Sequence, residues 1–103
     1  YTLSLHDALP ILGQAPVTPQ KLVAKRQKDE RNVDISWEKV PNVVGYNIRW
    51  GIEKDKLYQT YQVYGDQPTA LQIRALNLGQ KYYYAIEAFN ENGVSALSGV
   101  VGE

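Results

Sequence analysis

The sequence predicts an all-β fold, an antiparallel sandwich of seven short strands. Three observations favour it. Polar and apolar residues alternate with period two in several segments, β-branched and aromatic residues are common in those segments, and turn-forming residues separate them at regular spacing. Apolar residues make up 44% of the 103 residues, which is enough to build a packed core.

The predicted strands follow one another from residue 17 onward. They cover the region around Pro19 and Leu22, then residues 32–37, 46–50, 56–64, 69–73, 82–89 and 95–101. The breaks at residues 65–68 (GDQP) and 90–93 (NENG) contain the Gly, Pro, Asn and Asp that favour turns. Because no 11-residue window keeps a helical period, helices are not expected.

The inward positions of these strands predict the hydrophobic core. Trp37 closes the second strand, and we expect its large side chain to lie between the two sheets. The predicted core positions are Val33, Ile35, Trp37, Tyr46, Ile48, Trp50, Leu71, Ile73, Leu76, Tyr82, Tyr84, Ile86 and Ala88.

Composition excludes several classes of function. With no Cys, thiol nucleophiles, disulfides and Cys-ligated metals are ruled out, and the single His6 offers little for acid–base or metal chemistry. Eleven basic residues balance eleven acidic ones, which argues against a nucleic-acid binder. Asp29 and Glu30 lie in a predicted turn beside Arg31, where we expect a solvated charge cluster. We therefore expect no catalytic site, no cofactor and no metal.

Residues 1–16 do not follow the pattern of the remainder. They are predicted to be a linker or a non-native leader, since residues 4–11 (SLHDALPI) resemble translated sequencing-adapter sequence. The apolar stretch at residues 8–12 is far shorter than the roughly 20 residues that a bilayer requires, so no membrane partner is expected. The domain itself is assigned to residues 17–103.

The order of motifs in residues 17–103 resembles the fibronectin type III domain, a seven-stranded immunoglobulin-like sandwich. The most specific segment is residues 76–82 (LNLGQKY), which matches the pattern Leu-x-Pro-Gly-x-x-Tyr with Leu78 in place of Pro. Residues 84–93, Ser95 and Ser98 continue the resemblance. It implies that Tyr82 forms a tyrosine corner with a main-chain group upstream, that Leu76 is buried, and that Gly79 adopts a positive φ.

A narrower resemblance involves residues 45–52, 55–58, 61–64 and 83–93. These segments are similar to C-terminal accessory modules of bacterial family 43 glycoside hydrolases. The resemblance implies a non-catalytic accessory or spacer module of a secreted, periplasmic or surface-exposed enzyme, in which the catalytic domain is the partner. A cell-surface adhesion or protein-interaction domain is the alternative.

Three aromatic residues, Tyr61, Tyr83 and Phe89, are the candidates for an interaction surface. Four explanations remain open for them: cross-strand packing that shields the sheet, docking to a catalytic domain, weak polysaccharide binding, and adhesion to another protein. We expect the chain to be a monomer.

Overall fold

The computed structural model describes residues 13–103, so residues 1–12 of the predicted leader lie outside the described residues. Alternating side chains form eight short strands. The strands are β1 (Val23–Arg26), β2 (Val33–Ser36), β3 (Gly45–Gly51), β4 (Gln59–Tyr64), β5 (Ala70–Ile73), β6 (Tyr83–Asn90), β7 (Gly93–Val94) and β8 (Val101–Gly102).

The strands build two antiparallel sheets. One sheet has three strands in the order β1-β2-β5, and the other has five, in which β4-β3-β6 is completed by β7 and β8, both paired with β6. None of residues 13–103 belongs to a helix that could cross a bilayer. The all-β sandwich that the sequence predicts is therefore confirmed.

The core lies between the two sheets, as the period-two pattern predicts. Trp37 follows β2 with only 5% of its surface exposed, and its ring meets Tyr46 edge-on at 5.3 Å between centroids. All predicted core positions are buried except Trp50 and Leu71, which are half-buried against the cluster. Val40 and Val63 also belong to this core, although the sequence analysis did not include them.

The predicted last strand at residues 95–101 is wrong, and this accounts for the eighth strand. Pairing with β6 occurs at β7 and β8, on either side of that segment. Between them, Ser95 Oγ accepts a hydrogen bond from the Ala88 N–H and Ser98 Oγ accepts one from the Ile86 N–H, both at 2.9 Å. Hydroxyl oxygens therefore serve as acceptors in place of main-chain carbonyls. The segment does not pair with β6 as a strand, but these two N–H groups of β6 keep an acceptor.

The described chain enters the sandwich at one end of β6 and leaves it at the other. Near the start, the Gln14 carbonyl accepts a hydrogen bond from Asn90 Nδ2 at 3.0 Å, and Pro16 is buried. Near the finish, Gly102 pairs with Tyr83. The eight residues of β6 span about 23 Å at roughly 3.3 Å per step, so the two points lie at opposite ends of the sandwich.

Candidate functional site

The outer face of the five-stranded sheet carries a row of polar side chains at its centre. Asn47 Nδ2 donates a hydrogen bond to Glu87 Oε2 at 3.0 Å, and Gln62 Nε2 donates to Asn47 Oδ1 at 3.1 Å. Arg49 lies 3.6 Å from the same Glu87 oxygen. This row joins β4, β3 and β6, and an aromatic side chain lies on β6 at each end of it.

Phe89 lies at one end of this face, half-buried over a glycine. It pairs with Gly45 of β3, and a Cβ at Gly45 would come within 2.8 Å of the Phe89 ring. The missing side chain of Gly45 therefore leaves the space that the edge of the Phe89 ring occupies. An aromatic ring that covers a glycine on a neighbouring strand supports the packing explanation for Phe89.

Tyr83 lies at the other end of the face, also half-buried and flanked by glycines. Its strand neighbours are Gly51 on β3 and Gly102 on β8. The ammonium groups of Lys54 and Lys81 lie 5.8 and 5.5 Å from the centre of its ring. The ring thus has cationic neighbours, in an arrangement typical of cation–π contacts.

Tyr61 does not share a surface with Tyr83 and Phe89. It pairs with Ile48, whose side chain is fully buried, so it points to the core side of the sheet. There its ring stacks on Trp50 at 6.3 Å with an angle of 15° between the planes, and 43% of the residue remains exposed. The three candidates therefore fall on two faces, because β4 and β3 are paired in a register that the sequence did not specify.

The turn before β6 is built from the residues that the resemblance singles out. The Tyr82 hydroxyl accepts a hydrogen bond from the Asn77 N–H at 3.0 Å, which is the contact of a tyrosine corner. Gly79 has φ 76°, in the region that favours glycine, and Leu76 is buried with 4% exposed. The Leu76 N–H donates to the Arg31 carbonyl at 2.8 Å, which ties this turn to the three-stranded sheet.

Glu103 forms a buried cluster that the sequence analysis missed. Its Oε2 accepts hydrogen bonds from Arg26 Nε at 2.9 Å and from the Tyr84 hydroxyl at 2.7 Å, and its Oε1 accepts one from the Tyr82 N–H at 3.1 Å. Only 10% of the Glu103 side chain and 16% of the Arg26 side chain are exposed. The carboxylate therefore connects the segment after β8 with both sheets.

Electrostatics in this cluster affect one tyrosine. Burial in the core and, next, the hydrogen bond donated to Glu103 raise the pKa of Tyr84 well above its ordinary value. Arg26 contributes further contacts, because its guanidinium donates to the carbonyls of Glu30 and Gln80 and lies 5.3 Å from the centre of the Tyr82 ring. The hydrogen bonds of Arg26, Tyr84 and Glu103 therefore connect the two sheets.

The family follows from the sequence comparison. Residues 17–102 match the family described as the fibronectin type III domain. The chain belongs to this family. Tyr82 forms the corner contact and Gly79 has the positive φ that the resemblance to this family implied.

Solved structures of fibronectin type III domains show the same fold. The chain is similar to the FN1–FN3 domains of chicken CNTN1, with 26% identity, a TM-score of 0.74, and coverage of 86% of this chain but only 32% of that one. An Fn3-like protein from Clostridium thermocellum is 21% identical, with a TM-score of 0.74 and coverage of 86% and 92%. The fn3 domain of human contactin 1 is 22% identical, with a TM-score of 0.75 and coverage of 87% and 78%.

A comparison with curated proteins finds no match. Fibronectin type III domains are general β-sandwich modules and are mostly non-catalytic. Within residues 13–103, no three His, Cys, Asp or Glu side chains come together as a metal site would require.

The turn acids that the sequence analysis considered lie at the surface. Asp29 accepts hydrogen bonds from the Arg31 side chain at 3.0 Å, and the side chains of both are about half exposed or more. This hydrogen bonding from Arg31 lowers the pKa of Asp29 below its usual range. A solvent-exposed ion pair of this kind contributes little to stability.

Proposed function

We propose that this fibronectin type III domain is a non-catalytic spacer or accessory module that positions the catalytic domain of a larger, exported carbohydrate-active enzyme. Its partner is then a catalytic domain of the same polypeptide. The parent enzyme would be a glycoside hydrolase that works outside the cytoplasm, in the periplasm or at the cell surface.

One observation carries the spacer function. The chain enters beside Asn90 and leaves beside Tyr83, at opposite ends of β6. A domain with this geometry holds whatever precedes it and whatever follows it apart by the length of the sandwich. The connections at both ends are ordered by hydrogen bonds, to Gln14 at the start and to Glu103 at the finish, so the spacing would be stiff.

The choice of parent enzyme depends on sequence resemblance. Residues 45–52, 55–58, 61–64 and 83–93 are similar to modules that accompany family 43 glycoside hydrolases, and they contain all of β3 and β6 and most of β4. These strands also carry Tyr83 and Phe89 on the outer face, which is the surface available for packing on a catalytic domain. The half-buried Tyr83 ring beside two lysines suits such a domain contact better than an isolated, solvated role.

The test uses the full polypeptide that contains this chain. Residues 17–103 are replaced by a flexible Gly/Ser linker of equal length, and both proteins are assayed on a soluble aryl xyloside and measured by X-ray scattering. We expect unchanged turnover of the soluble substrate, because the module is not catalytic, and a broader distance distribution between the flanking domains in X-ray scattering. Loss of turnover on the soluble substrate, or a polypeptide that encodes no carbohydrate-active domain, would contradict the proposal.

A second candidate is an adhesion or interaction domain in a tandem array. It is favoured by the similarity to the FN1–FN3 domains of chicken CNTN1, in which this chain corresponds to 32% of the length, about one domain in three. The coding sequence on either side decides between the candidates, since further fibronectin type III domains indicate an array and a glycosidase domain indicates an accessory module.

A further inference from the structure

Strand β4 forms an open edge of the five-stranded sheet. Among residues 13–103 it pairs with β3 alone. The Gly65 N–H donates to the Val44 carbonyl at 2.8 Å, and this bond fixes which main-chain groups of β4 point away from β3. Those groups belong to Thr60, Gln62 and Tyr64. The Tyr64 carbonyl also accepts a bond from the Gln67 N–H at 3.0 Å and keeps a second lone pair.

The composition of β4 lacks the features that normally protect a sheet edge. Its six residues, QTYQVY, contain no charge, no proline and no glycine. The other edges are protected: β1 carries Lys25 and Arg26, β5 begins two residues after Pro68, and β7 and β8 have two residues each. Charges, prolines and short length are the usual means by which proteins prevent pairing between edges.

The exposed aromatic residues of the described chain are all at this edge. Tyr58, Tyr61 and Tyr64 have 81%, 43% and 59% of their surface exposed, whereas every other aromatic residue among residues 13–103 is buried or half-buried. Aromatic residues stabilise cross-strand contacts, so this row adds side-chain area to the unpaired main-chain groups.

We propose that β4 pairs with β4 of a second copy of this chain, antiparallel and centred on Gln62. In this register Gln62 faces its own copy, and Thr60 faces Tyr64 of the other copy. The main-chain groups of those residues already point outward and would exchange two hydrogen bonds in each pair. On the core side of the sheet, Tyr61 faces Val63 of the other copy.

A second copy fits this edge because the strand is complementary to itself. The register brings an aromatic residue opposite a β-branched one on both faces of the sheet, and such pairs are stabilising. No charges face one another, and the net charge of the chain is zero, so the two copies do not repel. The contact is isologous, which closes it at two copies.

The expected dimer is weak. A six-residue edge buries less than the roughly 800 Å² per partner of a standard interface, so we expect a dissociation constant on the order of 0.1 mM. At concentrations well below that value the chain would be the monomer that the sequence analysis expects. This association is independent of the proposed spacer function and would add to it by joining two parent polypeptides.

The test is sedimentation equilibrium of the full 103-residue chain between about 0.01 and 1 mM. We expect the weight-average mass to rise from 11.6 kDa toward twice that value. Gln62→Lys and Gln62→Glu should each associate several-fold more weakly than the parent, because equal charges would face each other across the dimer axis. An equimolar mixture of the two variants should associate more tightly than either variant alone, since opposite charges then meet.

Gln72→Lys on β5 is the matched control. Gln72 is also an exposed glutamine on an edge strand, and its side-chain amide donates to Asp34 as that of Gln62 donates to Asn47. This variant should associate like the parent, and circular dichroism should show the same fold for all variants. A constant mass of 11.6 kDa, an undiminished association of Gln62→Lys, an equal loss in Gln72→Lys, or a mixture that associates no more tightly than either variant alone would each overturn the proposal.

Discussion

Replacement of Trp37 by alanine tests the packing of the two sheets against each other. Only 5% of the Trp37 surface is exposed, and its ring meets the Tyr46 ring edge-on at 5.3 Å between centroids. Burial of a tryptophan side chain removes roughly 200 Å² from water, and at about 25 cal/mol per Å² this corresponds to about 5 kcal/mol. Because the site partly relaxes around the cavity, we expect Trp37→Ala to cost about 3–5 kcal/mol.

Such a loss is a large part of the stability of a small domain, which is about 5–15 kcal/mol. Urea unfolding followed by circular dichroism measures it directly, and the midpoint of thermal unfolding should fall by on the order of 20 °C. Tyr58→Ala is the control: with 81% of the residue exposed, it should change the free energy of unfolding by less than about 0.5 kcal/mol.

Trp37→Phe keeps an aromatic ring at the same place, so it provides a measurable value even if the alanine variant does not fold. We expect it to lose about half as much stability as the alanine variant. The reasoning is refuted if Trp37→Ala unfolds within about 1 kcal/mol of the parent, or if Tyr58→Ala is destabilised as strongly as Trp37→Ala.

Three further changes test the hydrogen bonds of β6 and its turn. Tyr82→Phe leaves the Asn77 N–H without its acceptor and should cost about 1–3 kcal/mol in urea unfolding. Ser98→Ala removes the acceptor of the Ile86 N–H, so hydrogen exchange of that amide should become faster while the fold is kept. The raised pKa of Tyr84 predicts stability that is complete below about pH 10 and lost as the pH rises above it, since the unfolded chain then releases the proton first. Tyr84→Phe should therefore show a shallower loss of unfolding free energy above about pH 10.

Each of these has an outcome that would count against it. Tyr83→Phe is the control for the corner, because no hydrogen bond of the Tyr83 hydroxyl is found among residues 13–103, and equal losses for Tyr82→Phe and Tyr83→Phe would argue against a special role of the corner. Unchanged exchange of the Ile86 amide would show that Ser98 is not its acceptor. Parallel pH profiles for the parent and Tyr84→Phe would show that Tyr84 titrates as it does in the unfolded chain.

The sequence predicted the parts of the fold that depend on period-two alternation. In β2, for example, Val33 and Ile35 alternate with polar residues, and their burial follows from that pattern alone. Tyr82 and Gly79 were also predictable, because a corner tyrosine and a glycine in a turn have fixed spacing along the chain. These features depend on local sequence or on a recurrent motif.

The features that the sequence did not predict depend on contacts between distant segments. Residues 95–101 contain good strand formers, but the hydroxyls of Ser95 and Ser98 replace main-chain acceptors and interrupt the strand. The face occupied by Tyr61 depends on the register of β4 against β3, which no local pattern reports. Glu103 was not predicted at all, because its burial comes from Arg26, which lies 77 residues earlier in the chain.

A distance between the two ends of the sandwich tests most directly whether the chain enters and leaves it at opposite ends. The chain contains no native cysteine, so Gln14→Cys with Gly102→Cys gives two unique sites for spin labels. The Gln14 main-chain carbonyl that binds Asn90 is retained in this double variant. Pulsed dipolar spectroscopy should give a single narrow distance of roughly 20–35 Å, as the length of β6 requires. A distance below about 15 Å would place both connections at the same end and contradict the spacer geometry.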